Sequence, residues 1–520
     1  MCGSTYLAKA STIDAFMNTI MLASTTNSVA LAIAIGIGIL GLLVLTLIVR
    51  ALRSQTLALG FATTAAQWAL AYLAMIGPGQ IIGDVLFALT LACPVAAGFV
   101  AARAMRDQAS PFGVGCVSGF VNLLVVGALV GGGSNDVSMI IQGAVWSVGM
   151  FVGSGVLAMF GAWLAPRIFI NSGAATTAQW SWPAPAALFA MVAAATIFLL
   201  LITGGLVTGL EAGLAVPDWP NSFGHNMLLY PVSEMKGGVY YEHAHRLFGM
   251  LVGVTTFTMG LIVFREDRRT WVRALACFAL FMVCLQGLMG GLRVTGTLTL
   301  SQETAQLSPS TLIAIAHGIF GQIVFATMAL LAALLTVKWK SALQLQNFAG
   351  AQSVRALTIV APFVLLVQLF LGASYRHLQV PPHDGLPAYH PIWAMHGHVG
   401  FSIIAVLAVL LAASRMSAMA QDNAALKLLG RFAAVMITIL IVQVLLGLIS
   451  YVAVLMRKDQ VIPIWEVVFT SAHQVTGALL FAAAIQGAAW SRRLVSAPMP
   501  FITNRSAEQR ADLRALKHAE

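Results

Sequence analysis

Charged side chains are scarce in this chain, and this scarcity decides the class of protein. Only 9% of the 520 residues are charged, whereas 59% are hydrophobic. A water-soluble globule of this size cannot bury so much apolar surface, so most of the chain is expected to face lipid. The formal net charge of +10 does not indicate a nucleic-acid partner, because basic residues of polytopic membrane proteins collect in cytoplasmic loops.

Cysteine is scarce in the chain, and histidine is confined to its C-terminal part. The chain has five cysteines, four of them inside apolar runs, and it contains no CxxC motif. This pattern argues against a disulfide framework and against a zinc site. All eleven histidines lie from His225 onwards. Any chemistry that depends on histidine is therefore expected in the C-terminal part of the chain.

Thirteen apolar runs are long enough to cross a bilayer of about 30 Å as a helix. They lie near residues 27–50, 56–77, 80–102, 113–132, 138–164, 186–208, 244–264, 271–292, 310–337, 356–374, 393–414, 429–452 and 467–490. Arginine and lysine cluster in alternate loops, such as "REDRRTWVR" (265–273) and "VKWKSALQ" (337–344). The positive-inside rule assigns these loops to the cytoplasm, which predicts an outside N-terminus and a cytoplasmic C-terminus.

The predicted fold class is an all-α polytopic membrane protein with three parts. Residues 1–180 form an N-terminal module of about five helices without a readable site, and "TTAQWSWPAP" (176–185) is interpreted as a linker. Residues 181–492 form an eight-helix core of four outward-opening hairpins, arranged as two pseudo-repeated four-helix halves. Residues 493–520 form a basic cytoplasmic tail.

A repeated motif, H-x-x-x-G, occurs in each of the four hairpins and indicates their chemistry. The repeats are "HRLFG" (245–249), "HGIFG" (317–321), "HGHVG" (396–400) and "HQVTG" (473–477). Residues i and i+4 share a helix face, so each glycine leaves a gap beside its histidine where a planar ring fits. The helices before the last three repeats carry a second echo, with glycine four residues after Gln286, Gln368 and Gln443.

Imidazole is an axial ligand of haem iron, and two imidazoles from facing helices complete a six-coordinate site. A lone intramembrane histidine is more often a hydrogen-bonded core residue. Four copies in register instead favour the axial ligands of two haems, His245, His317, His396 and His473. His396 is preferred to its neighbour His398 because only His396 has a glycine four residues further on.

Polar residues near these motifs have candidate roles. Glu242 lies three residues before His245, and no other repeat histidine has an acidic residue at that position. This difference between the repeats suggests that one haem is a substrate and the other a permanent cofactor. Compensation of the helix dipole is the alternative. Arg246, Arg293 and Arg376 are candidates for pairing with haem propionates, with interfacial snorkelling as the alternative. The remaining histidines near outer loops, His225, His243, His377, His383, His390 and His398, are interpreted mostly as solvated loop residues.

Several of these segments together resemble the haem A synthase family. They are "TGGLVTGLEAGLAVPDWPNSFG" (203–224), "EHAHRLFG", "QGLMGGLRVTG", "AHGIFGQ", "GASYRH" and "AHQVTGALL". The resemblance covers about residues 186–490. It implies conversion of haem O to haem A, in which a porphyrin methyl is oxidised to a formyl group for use in terminal cytochrome oxidases.

The resemblance also implies a set of residue roles. His245 and His317 would ligate haem O or haem A, His396 and His473 would ligate the cofactor haem b, and Glu242 matches the catalytic glutamate of the family. It further implies a bacterial inner-membrane location, with membrane lipid, a haem O synthase and an electron donor as partners. Homo-oligomerisation is left open.

The sequence departs from the family pattern in two places, and two other functions use the same residues. Residues 209–241 lack the cysteine pair found in many bacterial members, and the N-terminal module lies outside the pattern. A di-haem b electron carrier or quinol oxidoreductase would need the same four histidines but not Glu242. A transporter with proton-relaying histidines is less favoured, because transporter sites lie near the bilayer midplane and these histidines lie near one face.

Overall fold

The protein is described by a computed structural model covering residues 36, 38–77, 79–130, 137–168, 182–295, 309–345, 349–379, 389–457 and 462–496. Twelve helices in these ranges are long and apolar enough to cross a membrane. They confirm the prediction of an all-α polytopic membrane protein. The predicted basic tail lies almost wholly outside the described residues, as does the first half of the first predicted span.

The helices are α1 (Gly38–Ala51), α2 (Ser54–Met75), α3 (Gln80–Val100), α4 (Pro111–Val130), α5 (Val137–Ile168), α6 (Pro185–Gly209), α7 (Gly238–Glu266), α8 (Thr270–Thr295), α9 (Pro309–Leu335), α10 (Val337–Ser341), α11 (Ala351–His377), α12 (Ile392–Asp422), α13 (Lys427–Met456) and α14 (Ile464–Leu494). A π-helical turn (Ala101–Met105) follows α3. Two short strands, β1 (Asn221–Ser222) and β2 (His225–Asn226), pair antiparallel between α6 and α7.

The eight C-terminal long helices form two four-helix groups. Helices α6 to α9 pack as one group, and α11 to α14 pack as the other. The groups meet where α6 and α9 face α14, and where α9 also meets α11. Consecutive long helices run in opposite directions, and each repeat motif lies near the start of its helix, α7, α9, α12 or α14. The four motifs therefore lie at one end of the bundle. We call this the histidine end, and the opposite end the basic end.

The helices α3, α4 and α5 pack closely through small residues. Gly115 and Gly119 of α4 lie against the backbone of Ser154 and Met150 in α5, and neither position has room for a Cβ. Small residues four apart allow membrane helices to approach to this distance. Residues 55–520 form one compact unit, and residues 1–54 form another. The functional boundary near residue 180 stays a prediction.

A buried carboxylate organises the loop between α7 and α8 at the basic end. Asp267 is 3% exposed, and its Oδ2 accepts from Arg269 Nη2 at 2.8 Å and faces Lys340 Nζ of α10 at 3.0 Å. The hydrogen bonds from Arg269 hold the pKa of Asp267 well below its usual range, against the opposing effect of burial. Asp267 thus joins α7 to α10 by charge-assisted contacts.

The α6–α7 loop (residues 210–237) is folded rather than extended. Its β1–β2 hairpin turns at Phe223 and Gly224, with φ values of 51° and 76°, as expected for a two-residue hairpin turn. The carboxylate of Asp218 accepts hydrogen bonds from both of these backbone N–H groups, at 2.7 and 2.8 Å. The loop therefore has a fixed shape at the histidine end, beside the start of α7.

Candidate haem sites

Each hairpin places a histidine ring on a glycine of its preceding helix. The four pairs are His245 on Gly204, His317 on Gly290, His398 on Gly372 and His473 on Gly447. A Cβ added to these glycines would lie 3.0, 3.3, 2.8 and 2.9 Å from the ring Cε1 atom, in the same order. Such distances are shorter than ordinary carbon–carbon contact. The glycines are therefore the platforms on which the rings rest.

The rings of His398 in α12 and His473 in α14 face each other. Their centroids are 6.1 Å apart and their planes are inclined by 84°. His398 Nδ1 lies 3.0 Å from the carbonyl oxygen of Gln368, whose Nε2 donates to the His398 carbonyl at 2.9 Å. In α14, the buried Nδ1 of His473 has no hydrogen-bond partner within the described part of the chain. We call this pair site 2.

The structure places the ring of His398, rather than that of the predicted ligand His396, next to His473. His396 is exposed, because two positions along an α-helix turn a side chain by about 200°, away from the face that carries His398. Its motif glycine, Gly400, has nothing within 4 Å of an added Cβ. The ring position therefore favours His398 over His396 as the partner of His473, and the choice of ligand stays a prediction.

A regular interval in the sequence could have identified His398. The platform glycine precedes its histidine by 27 residues at 290 to 317, by 26 at 372 to 398 and by 26 at 447 to 473. His396 would give an interval of 24. In α12 the glycine four residues after His396 indicated a helix face that does not contact the preceding helix. The informative glycine, Gly372, lies on that preceding helix.

His245 and His317 form the second pair of rings, which we call site 1. Thr203 Oγ1 lies 2.9 Å from His245 Nδ1, and Gln286 Nε2 donates to the carbonyl oxygen of His317 at 2.7 Å. Arg293 lies in the last turn of α8, the helix that carries Gly290, and its guanidinium lies beside Gly213 of the α6–α7 loop. Site 1 is thus made of the two predicted histidines on their platform glycines, with one predicted arginine on the helix that supports His317.

Glu242 lies beside site 1 but is held by other groups. It is 4% exposed and sits in the second turn of α7, because the helix begins at Gly238. Its Oε1 accepts from Arg246 Nη2 at 2.7 Å, and its Oε2 accepts from the backbone N–H of Val216 at 2.9 Å. The carboxylate therefore fastens the α6–α7 loop to α7.

The three predicted propionate partners differ in how far they are already engaged. Arg246 donates to the carbonyl oxygens of Asp218, Asn221 and Val216 as well as to Glu242. Arg376 donates to the carbonyl oxygen of Thr208, and its Nη1 lies 3.9 Å from Glu211.

Arg293 differs from both. Its guanidinium lies beside Gly213 of the α6–α7 loop. Its side chain makes no hydrogen bond or ion pair with any residue that the structure describes. Arg293 is therefore the arginine with unused donors at site 1.

The interpretation of the remaining histidines as solvated is wrong for three of them. His243 is 0% exposed, with Nδ1 3.0 Å from Ser222 Oγ and its ring 5.0 Å from that of Tyr230. His377 ends α11 with Nε2 against Gly318, next to a site 1 histidine, and His398 belongs to site 2. His225 and His390 are exposed, and His383 lies outside the described residues.

The donor sets fit a haem better than a bare metal ion. No group of three or more His, Cys, Asp or Glu side chains that could hold an ion occurs within the described ranges. Two imidazoles suffice for haem, because the macrocycle supplies the other four ligands. At site 2 the two ring centroids are 6.1 Å apart, so imidazoles from two different helices lie close together.

Comparison with known proteins identifies the family of the chain. Residues 187–485 match the model of the COX15-CtaA family, described as cytochrome oxidase assembly protein. The chain belongs to this family. The match begins in α6 and ends in α14, so it contains all four platform glycines and the four histidines that rest on them. COX15-CtaA membership confirms the family indicated by the sequence motifs.

Three relatives are each named heme A synthase. The protein of Parvibaculum lavamentivorans is 27% identical, over 38% of this chain and 66% of that protein. Those of Listeria monocytogenes and Listeria innocua are each 29% identical, over 26% of this chain and 39% of their own length. The chain thus covers less than two thirds of these relatives, and α1 to α5 lie outside the COX15-CtaA match.

Proposed function

We propose that the protein is a haem A synthase that oxidises a methyl group of haem O to the formyl group of haem A, for terminal cytochrome oxidases. The observation that carries the proposal is the repeated seating of a histidine on a glycine, which yields two pairs of imidazoles in a COX15-CtaA chain. The names of the relatives support the reaction. The setting would be a bacterial inner membrane with the N-terminus outside, and the partners a haem O synthase and an electron donor.

Site 1 is the proposed substrate site. His245 and His317 would hold the iron of haem O, and of haem A after the reaction. Thr203 beside His245 Nδ1 would fix the tautomer and orientation of that ring, as hydrogen-bonding partners of ligating histidines do. Arg293 ends the helix that supports His317 and has unused donors among the described residues, so it would bind a haem propionate by charge-assisted hydrogen bonds.

Site 2 is the proposed site of the permanent haem b. His398 and His473 would be its axial ligands, in place of the sequence-based choice of His396 and His473. A bound haem b supplies one-electron transfer. The protein's own part is to hold the two rings on Gly372 and Gly447, with the amides of Gln368 and Gln443 beside them.

Glu242 is the proposed proton acceptor. Conversion of the methyl to a formyl group removes two hydrogens from the carbon and adds one oxygen atom, which water or dioxygen would supply. A base close to the ring edge would take up a released proton. The two oxygens of a carboxylate accept about four hydrogen bonds, and the contacts of Glu242 with Arg246 and Val216 use two. Proton uptake at Oε1 would weaken the ion pair with Arg246. The base would thereby be linked to the α6–α7 loop.

The engagement of Glu242 also favours a second candidate function. The Glu242 carboxylate holds Arg246 and the backbone N–H of Val216 in place. This structural role is sufficient to explain a carboxylate at this position. A di-haem b electron carrier or quinol oxidoreductase would use both histidine pairs and leave Glu242 in that role. A synthase would bind haem O and convert it to haem A, whereas an electron carrier would bind only haem b and leave it unchanged.

Haem extraction separates the two functions. The protein would be purified from membranes that also contain a haem O source, and its haems would be extracted with acid and weighed by mass spectrometry. A synthase is expected to yield haem b together with haem O or haem A. Haem b alone would reject the synthase proposal in favour of the electron carrier.

A pair of variants tests the ligand assignment at site 2. His398→Met is expected to remove or alter the haem b spectrum, because that ring faces His473. His396→Met is the matched control on the same helix, and its exposed ring should be dispensable. Loss of haem b in the His396 variant, with the His398 variant intact, would restore the original ligand choice.

A further inference from the structure

Four aromatic residues join α2 of the N-terminal module to α7 of the haem-binding core. They are Trp68, Tyr72, Tyr240 and Phe248, which we call the aromatic cluster. All four are buried, between 3% and 8% exposed. Tyr72 stacks on Tyr240 at 5.3 Å, and Trp68 and Tyr72 contact Phe248 edge-on at 5.6 and 5.8 Å. The Tyr240 hydroxyl also donates to the backbone carbonyl of Tyr72 at 2.6 Å.

The aromatic cluster occupies one face of α7, and site 1 occupies another. Around α7, Phe248 lies about 80° from Tyr240, His245 lies about 60° beyond Phe248, and Glu242 lies about 60° beyond His245. The two aromatic residues and the two site 1 residues therefore occupy adjacent faces of one helix. Contacts on the first face therefore fix the height and rotation at which the second face presents its carboxylate and its imidazole.

The N-terminal module also contacts the α6–α7 loop. Gly127 of α4 lies against Leu229 and the carbonyl oxygen of Leu228, with no room for a Cβ. The hydrogen bond from Trp68 Nε1 to Asn122 Oδ1, at 2.9 Å, ties α2 to α4. One module therefore contacts both structures that meet at Glu242: the helix that carries it and the loop that it fastens.

We propose that the N-terminal module positions α7 and the α6–α7 loop for site 1, and so acts as an internal partner of the substrate site. Membrane helices associate by close packing and hydrogen bonds, since lipid offers no hydrophobic driving force between them. The aromatic cluster and the Tyr240 hydrogen bond supply both kinds of contact to α7. Site 2 has no residue in the aromatic cluster or in the α6–α7 loop. The haem identities used in the test rest on the proposed function.

The test is Tyr72→Leu in the full chain, because it changes the module and leaves α7 unaltered. Phe61→Leu is the matched control. Phe61 lies on the same helix and makes an equivalent edge-on pair at 5.2 Å, but with Phe189 of α6. One readout is hydrogen–deuterium exchange of residues 210–250. The other is the amount of each haem retained per protein after detergent extraction.

We expect Tyr72→Leu to speed exchange in residues 210–250 and to lower retention of the site 1 haem by about two- to tenfold, the value of one aromatic pair. Retention of haem b at site 2 should not change, and Phe61→Leu should match the wild type in both readouts. Equal loss of both haems, or identical behaviour of the two variants, would overturn the proposal.

The exchange readout keeps this test separate from the proposed function. If extraction yields only haem b, the synthase proposal fails, yet faster exchange in Tyr72→Leu than in Phe61→Leu still supports positioning by the module. If haem O is bound and the exchange rates of the two variants agree, the positioning role fails while the synthase proposal stands.

Discussion

Gly372→Ala is the sharpest perturbation that the structure offers for site 2. An added Cβ would lie 2.8 Å from His398 Cε1 and 3.0 Å from its Nδ1, whereas carbon atoms reach favourable contact at about 3.5 Å or more. The ring would have to retreat by roughly 0.7 Å. Over-packing of this kind costs about 1–3 kcal/mol. If that cost falls on the bound state, affinity for haem b should drop by about 5- to 150-fold.

Gly400→Ala is the matched control. Gly400 lies in the next helix, α12, and nothing is within 4 Å of a Cβ added there. Both substitutions replace a helical glycine by alanine, so the gain in helix propensity, about 1 kcal/mol, is common to both. Only Gly372→Ala adds the contact with His398.

The assay is the titration of haem b into each purified variant after its haem has been removed, followed by the absorbance of bis-imidazole haem. We expect weaker binding in Gly372→Ala and wild-type binding in Gly400→Ala. The reverse result would refute the platform argument and would favour His396, with its own motif glycine, as the ligand. Equal effects would show that ring seating does not control affinity.

Three further predictions concern site 1 and the basic end. Glu242→Gln keeps an acceptor oxygen for the loop but cannot take up a proton, so the haem A to haem O ratio in membranes should fall by about a hundredfold or more; a wild-type ratio would remove Glu242 from the reaction. Arg293→Gln should weaken retention of the site 1 haem with haem b unchanged, and loss of both haems would contradict a propionate contact. The depressed pKa of Asp267, caused first by its hydrogen bonds from Arg269, means that its stabilisation is complete above about pH 4 and is lost as the pH falls below that value. Melting temperatures should therefore fall below pH 4 in the wild type more than in Asp267→Asn, and parallel curves would reject this contribution.

The sequence was sufficient for most of the architecture, because apolar runs of bilayer length leave few alternatives to transmembrane helices. The start of α7 is the main exception. The sequence placed it near residue 244, whereas the helix begins at Gly238. The first turns carry Tyr240, Glu242 and His243, whose polar groups suggest a loop. Contacts with α2 and the α6–α7 loop engage the Tyr240 hydroxyl, the Glu242 carboxylate and His243 Nδ1 within the helix.

The candidate sites were predictable only as far as local spacing reaches. The repeat identified His245, His317 and His473, whose rings rest on platform glycines of the preceding helices; their role as haem ligands stays a prediction. It chose His396 over His398 because the glycine on the same helix was taken as the partner of the histidine. Gly372 is visible in the sequence four residues after Gln368, but only the packing of α11 against α12 links it to His398. The hydrogen bonds from Arg246 to three loop carbonyls could not be predicted from the sequence either, because they depend on how residues 216–221 fold back.

The seating of each histidine on the helix before it has a consequence for biogenesis. A histidine and its platform glycine belong to successive helices, so each contact can form as soon as one hairpin has entered the membrane. The facing rings belong to different hairpins, as His398 and His473 do. We therefore expect the hairpins to be inserted with their ligands already oriented, and the haem to join one hairpin to the next as a late step of assembly. Chains truncated after α12 should then keep the Gly372–His398 contact, which a cysteine pair introduced at neighbouring positions would report by crosslinking; its absence would show that the ring is seated only when the bundle is complete.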